Sequence, residues 1–178
     1  GIEIHYLPVA YDNRFGFSAR SHSFIKCVWG IIRRPALFRD ADVCYTISTP
    51  LTTGLAALWI KKWYGIPYIF EVGDLWPDAP VEMGFIRNPL LKWMLFRLER
   101  NTYHEAQAIV ALSTAIQKNI LRKAPGKTVH LIPNMADTDH YFPGPKSEAL
   151  ENKFSVKGKF VISYTGAIGF ANGLDYFV

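Results

Sequence analysis

The residues with chemistry to offer stand where predicted strands end. Ser48 and Thr49 follow the apolar run Val43 to Ile47, Asp74 follows Tyr68 to Val72, and Asn134 follows "HLIP". In an open parallel sheet the carboxyl ends of the strands share one edge, and ligands bind in the crevice outside it. Ser48 and Thr49 also precede a predicted helix, where free N–H groups and the helix dipole favour an anion. Taken singly, such residues are ordinarily helix caps. It is their arrival at one edge that makes them a candidate site.

A weaker candidate lies further on. "GAIGFANG" places Gly166, Gly169 and Gly173 after an apolar run. Its spacing is not the dinucleotide fingerprint, so a phosphate-cradling loop and a turn needing positive φ explain it equally. There is no P-loop and no nucleophile elbow, and the five His show no metal-ligand spacing. Cys27 and Cys44 form no redox or metal motif and fit small buried positions in a reducing compartment.

The elements that must position these groups alternate. A strand is predicted at Glu3 to Leu7, then a helix from a Ser18 cap to about Arg34, then a buried strand at Val43 to Ile47. "STPLTTGLAALWIKKWYG" reads as a helix with Ser48 or Thr49 as cap, Pro50 in its first turn and Gly65 as its stop. A strand in "PYIFEV" follows. It breaks at Gly73-Asp74 into "DLWPDAP", where Trp76, Pro77 and Pro80 forbid a regular helix. Asn88-Pro89 opens a long helix to about Ala106, "AIVALS" is a strand, Ser113 or Thr114 caps another helix, and "TVHLIP" is a strand. Strand and helix alternating with short connections is the pattern of βαβ units. The expected fold is α/β, a Rossmann-like three-layer domain with a mostly parallel sheet and helices on both faces.

The helix from Asn88 to Ala106 carries two stripes. Leu91, Met94, Leu95, Leu98 and Thr102 fall at core spacing. Lys92, Trp93, Phe96, Arg97 and Arg100 fall on a neighbouring face, and aromatic-plus-basic is how an interfacial helix meets lipid headgroups. A second packing face has the same spacing. Between Arg14 and Arg39 there are six basic residues and no acidic one, within a net charge of +5. Such a stretch suits phosphates, an anionic membrane surface or simply water.

Composition sets the outer bounds. Of 178 residues, 49% are hydrophobic and 20% charged, which marks a globular chain. Aromatics reach 15%, enough for a large core or for a surface that meets sugars, lipids or a partner. No apolar run reaches the roughly 18 residues needed to cross a bilayer. "YFPGPKSEALENKF" has the composition of a linker and "FVISYTG" that of a fresh strand. The expected organisation is a domain over 1–142, a linker over 143–158 and the beginning of a second domain over 159–178. The opening without Met, already in strand-like sequence, and the cut-short last helix lead us to expect a piece of a longer protein.

These segments resemble a known family. "VCYTISTPLTTGLAALWIKKWYGIPYIFEVGDLWPDAP" is similar to the amino-terminal domain of family 4 retaining glycosyltransferases of GT-B fold. Its "DLWP" element resembles the bacterial branch that makes capsule, O-antigen and colanic-acid-type polysaccharides. "HLIPNMADTDHYFPG" is similar to the segment that closes that domain, with Met135 and Ala136 where Gly and Val are usual. "VISYTGAIGFANGLDYFV" resembles the opening of the donor-binding domain. The resemblance implies an enzyme that moves a sugar, with retention, from a nucleotide-diphosphate sugar to a saccharide acceptor, commonly lipid-linked. It implies no resident cofactor, no metal and no nucleic acid. It implies a cytoplasmic protein, peripheral on the inner face of the cytoplasmic membrane, with Lys92, Trp93, Phe96, Arg97 and Arg100 facing the lipid.

By the same resemblance Asp74 is the candidate catalytic residue, with Glu71 second, and Gly73 stands where His is often found. Ser48, Thr49, Trp76 and Asn134 would line the acceptor side. Gly166, Gly169 and Asn172 would lie in the loop by the donor diphosphate, although Ala167 and Asn172 stand where relatives often carry basic residues. The family's two-Glu donor motif is expected beyond Val178, which would leave this piece inactive by itself. A sugar-nucleotide epimerase of the same fold and a non-catalytic sugar-binding module are the alternatives.

Overall fold

The computed structural model describes residues 1–12, 14–166 and 174. The chain forms two compact units, Gly1–Asn134 and Met135–Val178. The first unit contains helix α1 (Phe17–Ile32), a single 3₁₀ turn at Pro35–Leu37, β1 (Cys44–Ile47), α2 (Thr53–Tyr64), β2 (Tyr68–Val72), α3 (Asp78–Glu82), α4 (Pro89–Glu105), β3 (Ala108–Ala111), α5 (Thr114–Lys123) and β4 (Val129–Leu131). In the second unit the described residues form one short helix, α6 (Glu148–Lys153), capped by the Ser147 hydroxyl.

The four strands make one sheet in the order β1-β2-β3-β4, and every neighbouring pair is parallel. Each crossover runs through a helix, as parallel pairing requires. This is the α/β, Rossmann-like arrangement that the alternation predicts. The punctuation explains the helix ends. Asn88 Oδ1 accepts from the N–H groups of Leu90 and Leu91 (2.9 and 3.1 Å), with Pro89 at the first helical position. Ser113 Oγ accepts from Ile116 N–H at 3.2 Å and so caps α5. Gly65 ends α2 in the left-handed region at φ 71°.

The core sits between the sheet and α2, α4 and α5. Tyr68, Phe70 and Val72 of β2 meet Ile109 and Ala111 of β3, Leu51 and Ala57, Tyr103 and Ala106, and Ile120 and Ala124. The Tyr68 hydroxyl donates to Thr102 O at 2.7 Å, so the ring is buried without stranding its polar end. Where α2 crosses α4, a β-carbon on Gly54 would stand 2.7 Å from Thr102 Oγ1. Only glycine permits that approach.

Four expectations are corrected. Glu3 to Leu7 is not a strand: among the described residues no strand pairs with it, and without a ladder its backbone stays in water. "FVISYTG" likewise forms no strand over its described residues. Strand β1 is not buried throughout, because it is the edge of the described sheet; Thr46 is buried while Tyr45 and Ile47 are half exposed. Helix α1 starts with Gly16 as its cap residue, which leaves Ser18 inside the helix.

The core stripe of α4 is shorter than expected: Leu98 and Thr102 face the core, as the spacing predicts. Its buried residues are Glu99, Thr102 and Tyr103, whereas Leu91 and Met94 are exposed. The amino-terminal half of α4 therefore stands off the core, and only the half from Leu98 onward packs on it.

Candidate functional site

The ends of β1 and β2 are fastened together side by side. Ile47 pairs with Glu71. One step on, Ser48 N–H donates to Glu71 O at 2.8 Å, and Gly73 N–H donates to Ser48 Oγ at 3.2 Å. One further step on, Thr49 Oγ1 donates to Asp74 Oδ2 at 3.4 Å. Ser48 is buried, and Thr49 and Asp74 are exposed. Ser48 thus braces the rim from below, while the Thr49 hydroxyl and the Asp74 carboxylate face solvent as a pair.

Both segments leave the rim through cis-proline peptides, Thr49–Pro50 and Trp76–Pro77. Helix α2 begins later than the sequence places it. Thr53, Gly54 and Leu55 donate their N–H groups to Pro50, Leu51 and Thr52 O (3.1, 2.9 and 3.0 Å). Those donors are occupied, so Ser48 and Thr49 do not open a helix N-terminus for an anion.

The remaining sequence candidates fall in different places. Asn134 is exposed and follows β4, whose carboxyl end is on the same sheet edge because Ala111 pairs with Leu131 and Ile132 N–H donates to Ala111 O at 3.0 Å. Among the described residues no hydrogen bond joins Asn134 to Thr49 or Asp74. Trp76 is partly buried and packs on the core cluster, so its ring stiffens the loop from within. Glu71 lies within β2, on the face opposite Phe70 and Val72, and accepts from the Tyr45 hydroxyl. That bond pushes the phenol's pKa up to about 12, since losing the proton would set two anions together.

A β-carbon on Gly73 would meet Leu112 Cδ1 and Thr49 Oγ1 at 3.6 Å, ordinary contact, so the rim has room for a side chain there. Gly166 lies in the second unit, next to Tyr164. Gly169 and Asn172 lie outside the described residues. Among the described residues no group of three or more His, Cys, Asp or Glu side chains could hold a metal ion.

On α4, Trp93 is 60% exposed, with the Arg97 guanidinium 5.8 Å from its ring centre. Trp93, Phe96, Arg97 and Arg100 line a shallow open groove. Phe96 is half-buried, and the Lys123 ammonium lies 5.2 Å from its ring centre. Leu90, Leu91 and Met94 add further exposed apolar surface to this half of the helix.

The sequence reading overlooked one ionic cluster. Lys123 Nζ donates to both oxygens of Glu99 (2.8 and 2.9 Å) and to Asp78 Oδ2. The Tyr103 hydroxyl donates to Glu99 Oε1 at 3.0 Å. Glu99 is 1% exposed, and burial raises its pKa despite the ammonium beside it. A signal was present: Glu99 falls next to Leu98 and Thr102 on the core side of the helix, where a charge needs a partner.

A parallel sheet with helical crossovers and a polar rim at its carboxyl edge defines a Rossmann-like α/β domain. This chain belongs to the glycosyl transferase 4-like family, whose domain matches residues 1–135. It is also similar to the alpha-maltose-1-phosphate synthase of Mycolicibacterium smegmatis (strain ATCC 700084 / mc(2)155), with 25% identity over 134 residues. The match covers 71% of this chain and 34% of that protein, about a third of the relative's length.

Proposed function

We propose that this domain forms the acceptor side of a retaining glycosyltransferase that takes a sugar from a nucleotide-diphosphate sugar. Family membership supports sugar transfer in general. The observation that carries the site is the exposed Thr49–Asp74 pair at the carboxyl edge of the parallel sheet. In this proposal Asp74 accepts a hydrogen bond from the acceptor hydroxyl and orients it toward the anomeric carbon, while the Thr49 hydroxyl holds the carboxylate in place. Asn134 extends that rim, and Trp76 stiffens the loop behind it. The leaving diphosphate is stabilised electrostatically, with no resident cofactor or metal. Glu71 is occupied by Tyr45 and stays out of this scheme.

The "DLWP" loop supports a more particular proposal, a saccharide acceptor in bacterial surface-polysaccharide synthesis. The exposed Trp93, Leu90 and Met94, together with Arg97 and Arg100, support an acceptor presented at an anionic membrane and a protein peripheral to its cytoplasmic side. Among the described residues no helix is long and apolar enough to cross a membrane.

The test is transfer of labelled sugar from a nucleotide sugar by the whole protein. Asp74→Ala is expected to lower the rate about 10²-fold or more, the scale of a lost acid–base group, with the circular dichroism spectrum unchanged. A rate within twofold of wild type would remove Asp74 from the reaction.

A further inference from the structure

The loop that carries Asp74 is held in its middle by apolar packing, with Leu75 and Trp76 on the core and Pro77 buried. It leaves β2 at Gly73, passes Trp76 and Pro77, and enters α3 at Asp78. Its first residue is held through the Gly73 N–H on Ser48 Oγ. Helix α3 is only five residues long, and Pro80 is its one buried residue. Apolar packing is non-directional, and a directional polar hold at the far end of the loop adds to it. Asp78 supplies this hold, because its carboxylate accepts from Lys123, the last residue of α5. Lys123 is itself fixed, bonded to both oxygens of Glu99, whose carboxylate is held in turn by Tyr103.

We propose that Lys123 and Asp78 are positioning residues: the ammonium, seated on Glu99, tethers Asp78 and so fixes the loop that presents Asp74 at the rim. The proposal rests on the reading of that rim as the reacting edge. Two features single out this cluster from an ordinary ion pair. One cation serves two carboxylates, so its removal leaves Asp78 and Glu99 facing each other with no counter-charge. Asp78 and Lys123 are also only about one-fifth exposed, which limits the access of water to replace the bond. Glu99 anchors the cation from the core side and Asp78 holds the loop side. The same ammonium therefore links α4, α5 and the loop.

The test is residue-resolved amide exchange, supported by activity. The reporting amides are Gly73, which donates to Ser48 Oγ, Trp76, which donates to Asp74 O, and Ala79, which donates to Leu75 O. In Asp78→Ala these amides are expected to exchange faster by about tenfold or more, the factor expected for one lost charge-assisted hydrogen bond. Amides of α4 and α5 should keep their wild-type rates, since the Lys123–Glu99 pair survives. Lys123→Met is expected to loosen the same loop and Lys123→Arg to restore it. In the whole protein, Asp78→Ala should lower kcat for sugar transfer with little change in melting temperature.

Unchanged exchange at Gly73, Trp76 and Ala79 in Asp78→Ala would overturn the proposal. So would equal loosening of α4 and α5, which would make the cluster a general structural bond. Exchange does not depend on turnover. A loosened loop together with a dispensable Asp74 would therefore leave the tether standing and remove the catalytic reading of the rim.

Discussion

Single residues show how burial and charge compete here. Glu99 accepts from Lys123 and Tyr103 and faces Asp78 across the same ammonium, yet desolvation outweighs the attraction and raises its pKa. A carboxyl whose folded pKa lies above its unfolded value binds its proton more tightly in the native state. Its contribution to stability is then fully present below the ordinary glutamate value and is lost as pH rises through the raised value. Urea melts stepped upward in pH from the ordinary glutamate range should show this loss, and Glu99→Gln should flatten it. A Glu99→Gln curve parallel to wild type would show that Glu99 does not titrate in that window. At this scale the sequence was partly legible. Asp74 and Ser48 could be placed because each follows a strand in a chain with clear βα punctuation. Glu99 could not be paired, because its partner lies 24 residues away on another helix and no local spacing points to it.

Elements are set by caps that the sequence shows and by crossings that it does not. Asn88-Pro89, Ser113 and Gly65 bound their helices where local chemistry requires. The expected core stripe of α4 holds at Leu98 and Thr102 but not at Leu91 and Met94, because leucines mark a core only where something packs on them, and the amino-terminal half of this helix leaves those two in water. The crossing of α2 and α4 at Gly54 and Thr102 is equally silent in sequence. Gly54→Ala would force a β-carbon into Thr102, so it is expected to destabilise by about 1–3 kcal/mol, measured by denaturant melts. An unchanged midpoint would mean the helices separate freely. The exposed half of α4 calls for a different assay. Flotation with anionic vesicles should recover the wild-type chain, and the triple change Lys92→Glu, Arg97→Glu and Arg100→Glu should lose most of it. Equal recovery would remove the membrane from the proposal.

On the scale of the whole molecule, parallel order was legible because alternation with short connections allows few other arrangements. The outer strands were not. Glu3 to Leu7 and "FVISYTG" have strand composition, but a strand is a pairing, and composition cannot supply the neighbour. The same distinction locates the stability of the chain. Every residue of the buried core cluster, from Leu51 to Ala124, lies within Gly1–Asn134, whereas the described residues of Met135–Val178 include only the short helix α6, with no buried residue. Burial of apolar side chains is the main favourable term in folding, so the cooperative transition should belong to the first unit. A chain ending at Asn134 is expected to unfold in one step with the same urea midpoint as the chain of 178 residues. An unfolding free energy lowered by more than about 1 kcal/mol would show that the second unit contributes to the fold of the first. Retention of the midpoint would locate the stability that holds the Thr49–Asp74 rim within Gly1–Asn134 itself.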